Sequence, residues 1–214
     1  MELIIATRNT NKIKEIKHLL QDTSVQLLDL AGGRWVVPEI IEDGSTFEEN
    51  AVKKAVIIAG ITGKLTLADD SGLEVDALGG QPGVRSARFA GDKVAGRDLA
   101  NNLKLLTMLQ GAPPGKRMAQ FRCVMALVQP DGRTRVVTGM CTGRIGLTEK
   151  GNQGFGYDPL FIPGEYDKTF AELGVYVKNK ISHRARALEK IKIILEKIAI
   201  NEKYPRTGRS GGTG

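Results

Sequence analysis

The sequence predicts an α/β fold, and three features of the chain predict it. Residues 2–7 form a short apolar strand, and a polar turn and apolar residues at helical spacing follow it. Residues 65–68 form a second apolar run, which is typical of a buried strand. Two alternating segments, 120–128 and 134–142, flank Pro130-Asp131-Gly132 and indicate a hairpin. Together these features predict a parallel part and a smaller antiparallel lobe.

Composition limits the class of protein. The 214 residues are 41% hydrophobic and 26% charged, which fits one globular domain, or one domain with a lobe. The chain lacks an apolar run of about 18 residues, and its start lacks the pattern of a signal peptide, so we expect no membrane span and a cytoplasmic location. We expect one domain over residues 1–200 and a disordered tail over 201–214, which is rich in Gly, Ser and Thr from Tyr204 onward.

The net charge of +7 favours an anionic ligand. The basic residues are dispersed along the chain, and only 5% of the residues are aromatic and able to stack on bases. This composition favours a compact polyanion over a long nucleic-acid track, so we expect no stable nucleic-acid partner.

The turn after the first strand, Thr7-Arg-Asn-Thr-Asn-Lys12, is a candidate phosphate site. Ile13, Ile16 and Leu19 then recur at helical spacing, so the amides of the turn and the helix dipole converge on one point. Lys12 in the first turn opposes the dipole, which suggests a bound anion; the alternative is a solvated lysine. The chain has no Walker G-x-x-x-x-G-K-[ST] string, which argues against an ordinary P-loop NTPase.

The next segment predicts strands followed by a capped helix. Residues 25–30 can form a second strand, and 36–41 a third strand or an extended connection. Thr46 and Glu49 form a capping box for a helix that runs to about residue 59. Lys53 and Lys54 point in neighbouring directions on this helix, so at most one should face a cleft.

Asp69 and Asp70 are the strongest candidates for chemistry. They follow the strand 65–68, and open α/β sheets place their chemistry at the carboxyl ends of strands. Neighbouring side chains on a strand point to opposite faces, so we expect Asp70 to face a hydrated divalent cation and its substrate while Asp69 turns toward the scaffold. The alternative is an Asp-Asp-Ser-Gly turn that satisfies its own backbone.

The second half of the chain predicts a helix and the hairpin. Leu99, Leu103, Leu106 and Leu109 mark an amphipathic helix that ends before Gly111 and Pro113. Cys123 and Cys141 fall close to opposite each other in the hairpin. Two cysteines cannot form a disulfide framework, and neither has metal-ligand spacing, so we expect reduced core residues.

Two further segments are candidates for ligand binding. The stretch 151–161 contains three glycines before an apolar segment, and Phe155 could stack on a flat ring; the alternative is an ordinary glycine-rich turn. Ser182 is the expected N-cap of the last helix, which leaves His183 and Arg184 in an exposed first turn. This pair suggests a ligand's acceptor atoms, although such pairs are more often solvated surface.

Six strings of this chain, in order, resemble the motifs of the inosine triphosphate pyrophosphatase family, the Ham1-like XTP/dITP diphosphatases. They are Thr7-Arg-Asn-Thr-Asn-Lys12, Thr46-Phe-Glu-Glu-Asn-Ala51, Ala68-Asp-Asp-Ser-Gly72, Gly80-Gln-Pro-Gly-Val-Arg-Ser-Ala-Arg88, Phe155-Gly-Tyr-Asp158 and Lys178-Asn-Lys-Ile-Ser-His-Arg184. The resemblance covers residues from about 3 to 198.

This resemblance implies a fold and an activity. The fold is an elongated α/β protein of the Maf and Ham1 architecture, with a central mixed sheet and flanking helices that form two lobes around a nucleotide-binding cleft, as a homodimer. The activity is Mg²⁺-dependent hydrolysis of deaminated purine nucleoside triphosphates (ITP, dITP and XTP) to the monophosphate and pyrophosphate, which keeps them out of DNA and RNA.

The resemblance also implies roles for individual residues. Thr7, Arg8, Asn9, Thr10, Asn11 and Lys12 would hold the phosphates with Lys54, and Asp70 would be the metal ligand and the base that activates water, with Ser71 beside it. Phe155, Gly156, Tyr157, Asp158, Lys178, His183 and Arg184 would hold the purine and sugar.

The sequence departs from the family pattern at Arg8, and it leaves the identity of the second acidic metal ligand open. Arg8 stands where the family commonly has glycine, and it could contact phosphate or point to solvent. The second acidic metal ligand is Glu39 or Glu42, of which we favour Glu42. Two other functions stay open: a pyrophosphatase for modified pyrimidine triphosphates, and a nucleotide- or nucleic-acid-binding module without turnover.

Overall fold

The structure is a computed structural model that describes residues 1–30, 35–91 and 94–203. The predicted α/β fold is confirmed, because one curled six-stranded sheet carries helices on its faces. Its strands are β1 (Glu2–Ile5), β2 (Gln26–Asp29), β3 (Leu65–Val75), β4 (Met118–Val128), β5 (Thr134–Ile145) and β6 (Phe161–Pro163). The α-helices are α1 (Thr10–Leu19), α2 (Phe47–Thr62), α3 (Arg97–Met108), α4 (Phe170–Ile181) and α5 (His183–Lys203).

The sheet is mixed, in the order β2-β1-β3-β4-β5-β6. β1 is parallel to both β2 and β3, whereas β3, β4, β5 and β6 pair with one another antiparallel. The parallel and antiparallel parts therefore share β3 and are two ends of one sheet.

Three apolar clusters hold the helices to the sheet. Alternation along β1 sends Leu3 and Ile5 to the face covered by α1 and α5, and sends Ile4 to the face covered by α2. The third cluster lies at the far end of the long strands, where Leu73 and Phe121 pack with residues of α3, α4 and β6. Residues of the second and third clusters, such as Ile58 and Phe121, also line the cavity where the candidate residues meet.

The position predicted for the two aspartates on their strand is wrong. β3 continues to Val75, so Asp69 and Asp70 lie in the middle of the strand, and the alternative of an Asp-Asp-Ser-Gly turn is wrong as well. The parallel pairing with β1 stops at Leu67, but the antiparallel pairing with β4 continues through Val75. The aspartates thus follow the end of the parallel ladder, while their backbone stays hydrogen-bonded to β4.

The helix predicted around Leu99 exists, and two of its four predicted apolar positions, Leu106 and Leu109, pack on the core while the other two do not. Leu99 and Leu103 are 66% and 64% exposed, whereas Asn101 and Asn102 are buried. The inward face carries amides because they hold loops: Asn101 Nδ2 donates to the Ser86 carbonyl at 3.2 Å, and Asn102 Nδ2 donates to the Gly156 carbonyl at 3.1 Å. Hydrogen bonding to loop carbonyls therefore acts together with the core packing of Leu105 and Leu109 in deciding which face is buried.

The local predictions about caps and hairpin agree with the structure. Thr46 and Glu49 form the capping box of α2, which ends three residues later than predicted, at Thr62. Ser182 Oγ accepts a hydrogen bond from the Ala185 amide and so caps α5. In the hairpin, Cys123 lies opposite Gly139 and Cys141 opposite Phe121, and both cysteines are reduced and buried.

The remaining predictions concern the connection 36–41 and the tail. Residues 36–44 belong to neither a helix nor a strand, so they form a connection and not a third strand. Residues 201–203 continue α5, and the rest of the predicted tail, 204–214, lies outside the described residues. None of the described helices combines the length and the apolar character of a membrane span.

Candidate active site

A cavity of about 540 Å³ brings most of the candidate residues together. Its lining includes these residues from the candidate set: Thr7, Arg8, Asn9, Lys12, Glu39, Glu42, Lys54, Asp70, Ser71, Phe155, Gly156, Tyr157, Asp158, Lys178, His183 and Arg184. Thr10 and Asn11 do not line it, because they form the exposed first turn of α1.

The turn before α1 is organised by its own side chains. Asn9 is the N-cap, and its Oδ1 accepts hydrogen bonds from the Asn11 amide at 3.0 Å and the Lys12 amide at 3.2 Å. Thr7 Oγ1 accepts from the Asn9 amide at 3.2 Å. These bonds fix the direction of α1 and therefore the direction of the Lys12 side chain.

Lys12 meets an anion that belongs to the protein. Its Nζ lies 2.5 Å from Asp69 Oδ1, and its side chain is only 14% exposed, so a fully solvated lysine is excluded. Asp69 Oδ2 also accepts hydrogen bonds from Arg184 Nε at 3.2 Å and from the Cys123 thiol at 3.1 Å. Burial raises the pKa of Asp69, but Arg184 and Lys12 outweigh it and hold the pKa far below its usual range. Asp69 is thus an ionised anchor beneath the cavity.

Asp70 points to the opposite face and lines the cavity together with Lys54, Lys12 and a second acid, Glu42. Asn50 Nδ2 donates to Asp70 Oδ2 at 3.2 Å, and Lys54 Nζ lies 3.6 Å from Asp70 Oδ1. The same ammonium lies 2.6 Å from Glu42 Oε1. Burial raises the pKa of Asp70, and Lys54 and Lys12 only partly oppose this effect. The result is a carboxylate whose proton affinity is increased, beside a buried lysine.

Of the two neighbouring lysines on α2, only Lys54 reaches the cavity. Lys53 pairs with Asp43 at 2.5 Å on the surface. Burial lowers the pKa of Lys54, but Asp70 and Glu42 outweigh it, so that its pKa is raised and the ammonium stays charged. Glu39 also lines the cavity but is exposed, whereas the Glu42 carboxylate is held beside Asp70 by this shared lysine.

Sequence reasoning missed Glu15, the acid that links the two cations at the other end of the cavity. Glu15 on α1 binds Lys178 Nζ at 2.8 Å and pairs with Arg184 Nη1. Lys178 also binds Asp158 at 2.5 Å, and its ammonium lies 4.4 Å from the centre of the Phe155 ring. The available signal was the spacing of Glu15 three residues after Lys12, which puts both on one helix face with buried Ile16.

The prediction that His183 and Arg184 lie in an exposed turn is wrong. They are 4% and 1% exposed, because the first turn of α5 rests directly on β5 at Gly139. A Cβ at residue 139 would lie 2.1 Å from the His183 carbonyl and 2.5 Å from the Ala187 amide. Glycine therefore permits an approach that any other residue would prevent.

The burial of this turn changes what its side chains can do. His183 stacks on Phe121, with 4.7 Å between ring centres, and burial lowers its pKa well below the usual range, so the imidazole is neutral. Its Nδ1 is buried without a hydrogen-bond partner in the described part of the chain, which is uncommon for a buried polar atom. Arg184 donates to Asp69, Glu15 and Ser71, so at most two of its five N–H groups remain for a ligand.

The glycine-rich loop at Phe155 is held by two candidate residues, Tyr157 and Asp158, and by Asp98, which the sequence did not single out. The Asp158 carboxylate accepts from the Phe155 amide at 2.8 Å, and the Tyr157 hydroxyl donates to the Ser86 carbonyl at 2.9 Å. Asp98 on α3 accepts from the Gly156 amide at 2.7 Å. Tyr157 and Asp158 therefore support the loop, and the Phe155 ring is half-buried in the cavity wall.

We expect Gly139→Ala to destabilise the protein and to lower its affinity for nucleotide, because the added methyl displaces the turn that carries His183 and Arg184. Overpacking of this kind costs about 1–3 kcal/mol. Thermal unfolding and nucleotide binding measure the two effects. Gly60→Ala is the matched control, since a Cβ there meets nothing within 4 Å and the change should be neutral or stabilising. Equal unfolding temperatures for Gly139→Ala and the unmodified protein would contradict the close approach.

Comparison with known proteins identifies relatives over nearly the whole chain. The model of the Ham1 family matches residues 3–194. A dITP/XTP pyrophosphatase of Desulforamulus reducens is 50% identical over 203 residues, which are 95% of this chain and 100% of the relative. The dITP/XTP pyrophosphatase of Bacillus subtilis is 47% identical over 195 residues, 91% of this chain and 97% of the relative.

Solved structures agree with this match. A HAM1 protein from Coxiella burnetii superposes with a TM-score of 0.83 at 39% identity, covering 92% of this chain and 99% of its own. The nucleoside-triphosphatase / dITP/XTP pyrophosphatase of Mycobacterium abscessus superposes with a TM-score of 0.73 at 40% identity, covering 91% and 100%. Fold, cavity and sequence lead to one conclusion: this chain belongs to the Ham1 family.

Proposed function

We propose that this chain is a Mg²⁺-dependent pyrophosphohydrolase of deaminated purine nucleoside triphosphates. It would cleave ITP, dITP and XTP to the monophosphate and pyrophosphate, and so keep these nucleotides out of DNA and RNA. One observation carries the proposal: a single cavity combines the centre of Asp70, Glu42 and Lys54 with an aromatic and cationic pocket at Phe155 and Arg184. The relatives named dITP/XTP pyrophosphatase support the same activity.

The reaction needs an oriented water, neutralised phosphate oxygens and a stabilised leaving group. Asp70 is the base, because its carboxylate lines the cavity where it can accept the proton of the attacking water. The water oxygen bonds to phosphorus while the P–O bond between the α- and β-phosphates breaks. Lys12 and Lys54 stabilise the charge on the departing pyrophosphate.

The acidic residues of the cavity fit a magnesium ion. Carboxylate oxygens of Asp70 and Glu42 both lie close to the Lys54 ammonium, and a metal ion between them would contact both. Mg²⁺ is usually bound by one or two carboxylates, with substrate phosphates and water completing its shell. In the described residues no group of three or more His, Cys, Asp or Glu side chains could hold a metal, which suits a site completed by the substrate. A bound Mg²⁺ would neutralise charge on the phosphate oxygens.

The pocket at the other end suits a 6-oxo purine. The Phe155 ring offers a face for stacking, and the unpartnered His183 Nδ1 and the remaining N–H groups of Arg184 offer polar contacts. A 6-oxo group accepts a hydrogen bond where the amino group of adenine donates one, so a donor in this pocket distinguishes them. The convergence of these residues on one pocket favours a purine over a modified pyrimidine.

A pyrophosphate-release screen over the common and the deaminated triphosphates, with and without Mg²⁺, tests the proposal. We expect release from ITP, dITP and XTP only when Mg²⁺ is present. Preference for a modified pyrimidine triphosphate would favour the second activity. Tight, salt-dependent binding of RNA or DNA without pyrophosphate release would favour a binding module.

We expect Lys12→Ala to weaken binding of the triphosphate end of the substrate. The mutant loses a cation at the phosphate turn, so inorganic pyrophosphate should inhibit it less strongly than it inhibits the unmodified protein. Product-inhibition kinetics measure this difference. Because Lys12 also pairs with Asp69, circular dichroism should accompany the kinetics to exclude unfolding. Unchanged inhibition by pyrophosphate would assign Lys12 to the scaffold alone.

Two properties of the whole protein complete the proposal. A homodimer is supported by the exposed apolar side chains of Leu99 and Leu103, which lie one turn apart on α3. Sedimentation analysis of the purified chain tests it. We also propose a cytoplasmic location, where nucleotide pools are used, and fractionation of cells that express the chain tests that.

A further inference from the structure

Residues 36–44, here called the strap, form one wall of the cavity without regular secondary structure. The strap carries both Glu39 and Glu42. Two of its apolar side chains are largely exposed, Val36 at 95% and Ile41 at 70%, whereas Val37 and Ile40 are partly buried against the apolar cluster beneath α2. Because Ile41, the residue before Glu42, is exposed, the position of the Glu42 carboxylate also depends on what holds the backbone of the strap.

Two arginines from different parts of the chain hold that backbone. Arg8, in the turn between β1 and α1, donates from Nη2 to the Val37 carbonyl at 2.7 Å. Arg88, at the end of the 3-10 segment Gly83–Arg88, donates from Nη2 to the Glu42 carbonyl at 2.8 Å. Both arginines also line the cavity, and both bonds are charge-assisted, which makes them stronger than bonds between neutral groups.

The contacts at Glu42 connect these two arginine hydrogen bonds to the proposed catalytic residues. Arg88 holds the carbonyl of Glu42, and Lys54 holds its carboxylate at 2.6 Å. The strap ends at Gly44, whose amide donates to Asn50 Oδ1 at 2.8 Å, while Asn50 Nδ2 donates to Asp70 at 3.2 Å. The backbone of the strap and the Asp70 carboxylate are therefore held by one connected set of side chains.

We propose that Arg8 and Arg88 are positioning residues that clasp the strap and thereby hold the Glu42 carboxylate beside Asp70. The part of this proposal that concerns metal binding rests on the proposed function. Neither arginine needs to touch the reacting atoms, because each acts on a backbone carbonyl. Arg8, which replaces the common glycine of the resembling motif, adds a clasp at the start of the strap instead of a phosphate contact.

The single tryptophan of the chain, Trp35, directly precedes the strap and reports on it independently of activity. Acrylamide quenching of its fluorescence should be measured for Arg8→Met and Arg88→Met, which keep an unbranched stem but remove the donors. We expect the quenching constant to rise roughly twofold in each, because loss of a clasp allows local opening. Arg85→Met is the matched control, since Arg85 is an exposed arginine of the same 3-10 segment and does not line the cavity.

The second measurement is the affinity for Mn²⁺ in the presence of the non-hydrolysable α,β-imido analogue of ITP, followed by electron paramagnetic resonance. Removing a residue that orients a metal ligand typically lowers metal affinity about 10- to 100-fold. We expect a loss in this range for Arg88→Met, a smaller loss for Arg8→Met, and partial recovery in Arg88→Lys, which keeps a charged donor group.

Each alternative outcome overturns the proposal in part or in whole. Unchanged quenching in both variants would show that the arginines do not hold the strap. Increased quenching with unchanged Mn²⁺ affinity would show that the strap does not position Glu42. A raised KM for nucleotide in Arg8→Met with unchanged quenching would make Arg8 a phosphate contact. Absence of pyrophosphate release by the unmodified protein would refute the proposed function separately, because quenching does not depend on turnover.

Discussion

Asp70→Asn is expected to abolish turnover while the protein stays folded. The amide cannot accept the proton of the attacking water, and loss of general-base help alone typically lowers the rate about 10²- to 10⁴-fold. It is also a poorer ligand for Mg²⁺ than a carboxylate. The amide oxygen can still accept the hydrogen bond from Asn50, so the local structure should persist. Pyrophosphate release under saturating ITP and Mg²⁺ measures the effect.

Thermal stability should distinguish Asp70→Asn from Asp69→Asn. The folded pKa of Asp70 is raised, so its ionised form opposes folding at pH values above that pKa, and Asp70→Asn should unfold at the same temperature or higher. The folded pKa of Asp69 is depressed, so its ionised form stabilises the fold above the unfolded pKa and this stability is lost as the pH falls.

Asp69→Asn is therefore the matched control at the adjacent position. It removes the anion that Lys12 and Arg184 share, although Arg184 keeps Glu15, and breaking a buried ion pair of this kind costs about 3–5 kcal/mol. Near-normal kcat in a folded Asp70→Asn protein would remove Asp70 from the chemistry. Equal losses of stability in both variants would refute the different environments of the two carboxylates.

Arg184→Ala is expected to narrow the preference for ITP over ATP. Sites built around a hydrogen bond to the substrate can reject the mismatched analogue by roughly 10⁴-fold or more. The guanidinium faces the cavity with at most two N–H groups beyond its protein partners, which is enough for one 6-oxo acceptor. Loss of a charge-assisted hydrogen bond should lower kcat/KM for ITP about 10- to 100-fold and change the value for ATP little.

The protein partners of Arg184 make a second variant necessary. Arg184→Ala leaves Asp69 and Glu15 partly uncompensated, so both stability and nucleotide affinity can fall. Arg184→Lys keeps the positive charge for Asp69 but loses the planar fork, which separates loss of charge from loss of recognition. Measuring kcat/KM for ITP, ATP and GTP on the unmodified protein, Arg184→Ala and Arg184→Lys separates the two effects. An unchanged ITP-to-ATP ratio in folded Arg184→Ala would move purine recognition to His183 or to the backbone amides of the loop at Phe155.

Features of the fold that depend on neighbouring residues could be predicted from the sequence. The capping box of Thr46 and Glu49, the N-cap at Ser182 and the hairpin around Asp131 each involve partners a few residues apart. The alternation along β3 likewise sends Asp69 and Asp70 to opposite faces wherever the strand ends. Such patterns have fixed geometry, and for that reason a short stretch of sequence is sufficient to predict them.

Only the tertiary structure decided which charges pair and which helix faces are buried. Asp69 binds Arg184 across 115 positions of sequence, and nothing in the type of either residue specifies that partner. The burial of His183 and Arg184 depends on the missing side chain of Gly139 on another element. The exposed side of α3 follows in the same way from loops that Asn101 and Asn102 hold. Sequence determined the residues that could do this chemistry and the local elements that carry them. Their environment required the assembled sheet, because burial, ion pairing and pKa depend on atoms that are distant in the chain.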